Sequence, residues 1–227
     1  MEEINLWEEI SCGNTVKVTE TTCKWTDYNG RTILMAACHN GKLDLTQQIL
    51  DARVDVNSQT VRGISALMYA VECAQPEIVS LLLRSGANVN IKSKKNLTSL
   101  MCAAYFGTSD LVALLLDAKA DVNARDKDNM TVLMYAVCCG TFDMVQTLLD
   151  AKADVNARDV DNMTALMHAI RFKTIDIVQM LVDADADVFT EDKFNKTALT
   201  YARDRGNTEI VRILENSCKS LKSRQLN

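Results

Sequence analysis

The sequence predicts an all-α solenoid of helix–turn–helix units joined by short, hairpin-like turns. Three observations carry that expectation. The triplet [T/S]-x-L starts at Thr32, Ser65, Thr98, Thr131, Thr164 and Thr197, always 33 residues apart, and a fixed period of this size marks stacked repeats. The surrounding grammar also recurs: a Gly or Asn two residues earlier, an apolar helix-like block after it, then a V/I-x-x-L-L/V block and an A-D-V-N segment. Residues Leu116–Met134 and Leu149–Met167 agree at 17 of 19 positions, differing only at Lys127/Val160 and Val132/Ala165. Finally, 227 residues that are 48% hydrophobic and 24% charged, with one proline and eight glycines, can bury a core and exclude disordered or collagen-like chains.

Taken in order, residues 1–25 read as a degenerate capping repeat, with Leu6, Trp7 and Ile10 spaced for one buried helical face. Six repeats follow, at about 26–58, 59–91, 92–124, 125–157, 158–190 and 191–218. In each, the Thr or Ser hydroxyl can accept an orphan N–H of the first helical turn. In the fifth repeat Leu166, Ala169 and Ile170 then form an i, i+3, i+4 stripe. The small residues Ala37, Ala70, Ala103, Ala136, Ala169 and Ala202 fall at one phase, where they let neighbouring helices approach closely. A second helix starts near Asp143 in the fourth repeat. Pro76 lies near the first turn of its second helix, where the missing N–H is harmless. The sixth repeat carries Arg203, Asp204, Arg205 and Arg212, as a solvent-facing cap requires. Residues 219–227, with Lys219, Lys222 and Arg224, are expected to fray.

These residues resemble the ankyrin repeat family. Its T-P-L-H-x-A-A…G…I-V-x-x-L-L…G-A-D-V-N pattern maps onto Thr98-Ser99-Leu100-Met101-Cys102-Ala103-Ala104, Gly107, Leu111-Val112, Leu115-Leu116 and Ala120-Asp121-Val122-Asn123. The resemblance implies a protein-interaction module that binds through a concave face of hairpin tips and first helices. Two departures stand out. Met35, Met68, Met101, Met134 and Met167 replace the family's His, which reads as flexible core filling. The glycine closing the second helix survives only as Gly86, with Arg53, Lys119, Lys152 and Asp185 elsewhere. If the left-handed turn is kept, each of these costs about 1 kcal/mol.

Catalysis finds little support. His39 and His168 lie four repeats apart, tens of ångströms at about 10 Å per stacked helix layer, and no phosphate-loop, dinucleotide or zinc-protease motif occurs. Neighbouring Cys138 and Cys139 diverge by about 100° on a helix and lack further ligands. The pairs Asp126/Asp128 and Asp159/Asp161 fall at turn tips and read as turn formers. No enzyme, metal or cofactor is therefore expected. Thirty acidic against 25 basic residues give a net charge of −5, which disfavours nucleic acid. The N-terminus is acidic where an export signal is basic, and no apolar run reaches about 18 residues. The expectation is a monomeric, intracellular, cytoplasmic protein without a membrane segment, its eight cysteines reduced. Cys38 and Cys102 are expected to be among the more buried, and Cys138 and Cys139 the most reactive.

What remains is a surface. One residue before each Thr/Ser stands a tip residue: Arg31, Ile64, Leu97, Met130, Met163 or Lys196. Seven and eight after it stand His39-Asn40, Glu72-Cys73, Tyr105-Phe106, Cys138-Cys139, Arg171-Phe172 and Asp204-Arg205. The candidate partner-binding residues are thus Ile64, Leu97, Tyr105, Phe106, Met130, Cys139, Met163, Arg171 and Phe172. An apolar, aromatic centre with a charged rim has the composition of a protein-binding hot spot, unless these side chains pack between repeats. A weaker basic group comprises Arg62, Lys92, Lys94, Lys95, Arg125, Lys127 and Arg158, diluted by aspartates. The expected function is a scaffold or adaptor for a protein or peptide partner; the alternative is a stoichiometric inhibitor or regulatory subunit of an enzyme.

Overall fold

The computed structural model describes residues 5–106, 108–139, 141–172 and 174–225, with side chains described through residue 219. Gly107, which carries part of the family pattern, and the side chains of Lys222 and Arg224 lie outside the described residues. The chain divides into two compact units, one ending at Asp121 and the other beginning at Val122.

The first unit holds α1 (Leu6–Ser11), α2 (Glu20–Cys23), α3 (Ile33–His39), α4 (Leu43–Asp51), α5 (Ala66–Glu72), α6 (Pro76–Arg84), α7 (Ser99–Tyr105) and α8 (Ser109–Asp117). The second holds α9 (Val132–Cys139), α10 (Phe142–Asp150), α11 (Ala165–Phe172), α12 (Ile175–Asp183), α13 (Ala198–Asp204) and α14 (Thr208–Gln225). Isolated antiparallel bridges occur at Thr26–Thr32, Gln59–Ser65 and Arg125–Thr131, and no sheet forms among the described residues. The fold is all-α.

Every repeat starts its first helix where the hydroxyl residue stands. Thr32, Ser65, Thr98, Thr131, Thr164 and Thr197 accept the N–H of the residue three positions on, at 3.3–3.4 Å. These bonds satisfy one orphan donor per helix. The Met side chains at that third position are buried, from Met35 to Met167, so the thioether that replaces imidazole is core. Within the first unit α3 packs against α4 and α5, and α5 against α6 and α7. Within the second, α9 packs against α10 and α11, and α11 against α12 and α13. The phase-matched alanines Ala37, Ala70 and Ala103, and separately Ala136, Ala169 and Ala202, are 0% exposed, so no side chain larger than a methyl group fits between those helices without displacing them. Leu82 and Leu115 in the second helices of the first unit, and Leu148 and Leu181 in those of the second, are fully buried.

The second helices end as the missing glycines imply. Arg53, Lys119, Lys152 and Asp185 adopt φ of 57, 67, 67 and 62°, beside Gly86 at 88°. Each donates its N–H back to the carbonyl three residues earlier, closing the helix in the left-handed turn despite the Cβ. Pro76 begins α6. At the N-terminus α1 buries Leu6 and Ile10, while Trp7 stays partly exposed against His39 and Tyr69.

α14 continues to Gln225, past residue 219 where the basic tail is expected to start. After Gly206 the sequence has no Gly or Pro, so nothing in it stops the helix at 218. None of the helices described is long and apolar enough to cross a membrane.

Candidate protein-interaction face

Each hairpin tip is built around one side chain five residues before the helix-capping Thr/Ser. In the first unit these are Asp27, Thr60 and Ser93; in the second, Asp126, Asp159 and Asp192. Every one accepts two backbone N–H groups, those of the residues two and four positions on, at distances from 2.8 to 3.3 Å. The residue four on is the tip residue, so this bracket fixes Arg31, Ile64, Leu97, Met130, Met163 and Lys196 in place. Between bracket and helix the turn residue takes positive φ: Gly30 and Gly63 at 72 and 77°, and Asn96, Asn129, Asn162 and Asn195 at 56–59°. Asn is among the few residues besides Gly that reach this region readily.

Where the bracket is Asp, its second oxygen finds another donor. Tyr135 donates its hydroxyl to Asp126 at 2.6 Å, His168 Nε2 lies 2.9 Å from Asp159, and the Tyr201 hydroxyl donates to Asp192. Arg31 Nε serves Asp27 at 2.5 Å. Burial alone would push the Asp192 carboxyl up, but the Tyr201 hydroxyl and the N–H groups of Lys196 and Phe194 hold it below the ordinary value. Asp27 is likewise lowered, its burial outweighed by donors from Arg31 and Asn29. Burial and the Asp192 charge raise the Tyr201 hydroxyl to about 12. Of the acidic pairs read as turn formers, the Asp161 carboxylate pairs with Lys193, while Asp126 and Asp159 brace their turns. Their Tyr and His partners went unnoticed in the sequence, although their constant spacing of nine residues from the Asp was available as a signal.

The candidate residues separate by exposure. In the first unit Tyr105 is 57% and Phe106 46% exposed, their rings edge to face at 5.2 Å. Ile64 and Leu97 are partly exposed at their tips. In the second unit Phe172 is 53% exposed, Arg171 and Cys139 are exposed, and Met130 is partly so. Met163 is the correction: it is buried at 5% exposure, with the Arg171 guanidinium 3.7 Å from its sulfur, so it supports the face and does not line it.

A second cluster in the first unit joins residues far apart in the chain. Trp7, His39 and Tyr69 contact one another ring to ring, with centroids 5.2–5.6 Å apart. Arg31 covers Trp7 at 4.0 Å, a cation–π contact. His39 Nδ1 meets Cys73 Sγ at 3.3 Å. This cluster fastens the capping α1 to α3 and α5.

The cysteines are all free. Cys38 is fully buried, and burial pushes its thiol up to about 12. Cys102 is partly exposed, its thiol raised by burial to about 11. The expected reactivity of Cys138 is corrected: burial and the neighbouring Cys139 raise its thiol to about 11, which suppresses the nucleophilic thiolate. Cys139 is exposed but also raised by desolvation. No group of three or more His, Cys, Asp or Glu among the described residues is placed to hold a metal.

A family model described as ankyrin repeats in three copies matches residues 6–93, 83–159 and 154–223. The chain belongs to the ankyrin repeat family. Ankyrin repeats are generally protein–protein interaction modules and typically not enzymes, which agrees with a surface built of braced tips and exposed rings. The match also reaches into the degenerate first helices, where the ankyrin pattern is least visible in the residues. No individual curated protein matches the chain.

Proposed function

We propose that this ankyrin-repeat chain is a scaffold or adaptor that captures a protein or peptide through the hairpin tips and first-helix ends that each unit presents. The observation that carries the reading is the exposure of Tyr105, Phe106 and Phe172 at equivalent helix ends. Large rings held in water on a rigid frame gain most when a partner covers them.

The test is affinity capture from the native cell with the unaltered chain and with Tyr105→Ala/Phe172→Ala. Both rings are about half in solvent, so circular dichroism and melting should change little, by under about 1 kcal/mol in stability. Capture should be lost. Capture that survives the double change assigns binding to another surface. Unfolding would show that the rings serve the core. An activity assay on any enzyme that co-purifies separates an adaptor from an inhibitory subunit.

A further inference from the structure

We infer that the second and third hairpin tips of the first unit form a docking strip for a carboxylate-rich segment of a protein partner. This rests on the reading of the chain as a protein-capturing module and adds the chemistry of what is captured.

The two tips carry Arg62, Lys92, Lys94 and Lys95, all exposed. None of the four enters an ion pair among the described residues. The cause lies in the bracket. Here Thr60 and Ser93 hold the backbone with neutral hydroxyls, so each tip keeps its shape without a carboxylate of its own. The basic residues of the second unit are differently placed. Arg125 pairs with Asp154 at 3.8 Å and donates to the Arg158 carbonyl, Arg158 donates to Thr190, and Lys193 and Lys196 pair with Asp161 and Asp204. Lys127 is flanked by Asp126 and Asp128. Lys127 and Arg158 likewise enter no ion pair among the described residues, so what distinguishes the first-unit group is that none of its four cations is paired and that its brackets are neutral hydroxyls.

The four cations also share one fixed frame. The Lys94 N–H donates to the Arg62 carbonyl at 2.9 Å. The Gln59 amide donates to the carbonyls of Gly63 and Lys92 at 2.7 and 3.1 Å. A Cβ on Gly63 would lie 2.8 Å from the Lys94 nitrogen, so only glycine lets the tips come this close. Beside the cations the ladder continues, with the Val61 N–H on the Asn29 carbonyl at 2.8 Å. There Tyr28 and Val61 are 89% and 53% exposed, an apolar step next to the charges.

Nearby carboxylates compete weakly. Asp27 is turned into its own tip and Arg31, and Asp55 accepts from Asn57 and Ser58. Glu72, exposed at the end of α5, acts on Tyr69 together with Asp27. Positive charge with an apolar step suits an acidic peptide bearing a hydrophobic residue. A nucleic acid brings no hydrophobic side chain to cover Val61, whereas a peptide does.

The experiment is fluorescence anisotropy of the full chain with three labelled probes: a peptide of Glu, Asp and Leu, its Gln/Asn/Leu analogue, and oligothymidylate. Two charge-reversed variants are compared, Lys94→Glu/Lys95→Glu in the strip and Lys127→Glu/Arg158→Glu in the second unit, with equal change in net charge. The acidic peptide should bind, the neutral analogue should not, and added salt should weaken binding. The strip variant should lose about tenfold or more in affinity and the second-unit variant less than about twofold. Melting curves confirm that both variants fold; should the strip variant not, Lys94→Gln/Lys95→Gln takes its place. No binding of the acidic peptide up to millimolar concentration, equal losses in both variants, or tighter binding of oligothymidylate each overturns the inference. Tyr105→Ala/Phe172→Ala separates it from the broader reading. Peptide binding that fails while ring-dependent partner capture persists sinks the strip alone.

Discussion

At Asp159 one carboxylate receives two backbone N–H groups and the His168 imidazole while only 8% exposed. Removing it strands three donors in a buried turn, and unsatisfied buried donors cost about 1–3 kcal/mol. Asp159→Ala should therefore lose about 2 kcal/mol in urea unfolding. Asp159→Ser should lose less, about 1 kcal/mol, because the Ser93 bracket already shows that a hydroxyl can hold the backbone pair and only the His168 ring is left without its partner. The converse case is Ser99, whose hydroxyl is buried without a hydrogen-bond partner where other repeats place Ala, Val or Ile. Ser99→Ala should stabilise by about 1 kcal/mol, read from the same urea midpoint. Asp27 and Asp192 are held below the ordinary carboxylate value. They thus stabilise the fold at neutral pH, and that contribution disappears as pH falls from about 4 through their lower folded values. Tyr201 runs the other way. Its raised value of about 12 favours the fold below about pH 10 and is lost as pH rises through the folded value. In Asp192→Asn the Tyr201 phenolate should appear at lower pH in an ultraviolet titration; an unchanged titration would mean the bond does not control it.

At the scale of elements, the left-handed residues that close α4, α8, α10 and α12 are the points of stored strain. Arg53→Gly, Lys119→Gly, Lys152→Gly and Asp185→Gly should each raise stability by about 0.5–1 kcal/mol, relief of the Cβ clash exceeding the added freedom of the unfolded chain. Loss of stability in all four would show that their side chains contribute more than their backbones cost. These turns were legible in the sequence because a 33-residue register aligns Arg53 with Gly86 and lets one glycine speak for five positions. The capping hydroxyls and the alanine phase were legible for the same reason. The face was less so. Periodicity places Met130 and Met163 at one phase, yet Met163 is buried with Arg171 of its own repeat against its sulfur while Met130 stays partly exposed. The Trp7–His39–Tyr69 cluster joins three repeats and has no counterpart elsewhere for a period to reveal. Nor does sequence distinguish Arg62 and Lys94 from Arg125 and Arg158, because what differs is whether an oxygen acceptor from another repeat, a carboxylate, carbonyl or hydroxyl, reaches the side chain.

For the molecule as a whole, stability in a repeat array sums over repeats and their immediate neighbours. Damage at one bracket should stay local. Hydrogen exchange of Asp159→Ala should show lost protection chiefly in α9–α12, with α1–α4 little changed; uniform loss would reveal a single cooperative unit. The brackets carry a further consequence. They assign the backbone of each tip to one residue, and leave the next residue along, Tyr28, Val61, Lys94, Lys127, Val160 or Lys193, exposed with its side chain outside the bracket. These six already differ in size, charge and aromaticity while their turns stay alike. Selection can therefore change the surface chemistry of these positions one codon at a time without renegotiating the fold, and duplication of a repeat adds another such position ready-made.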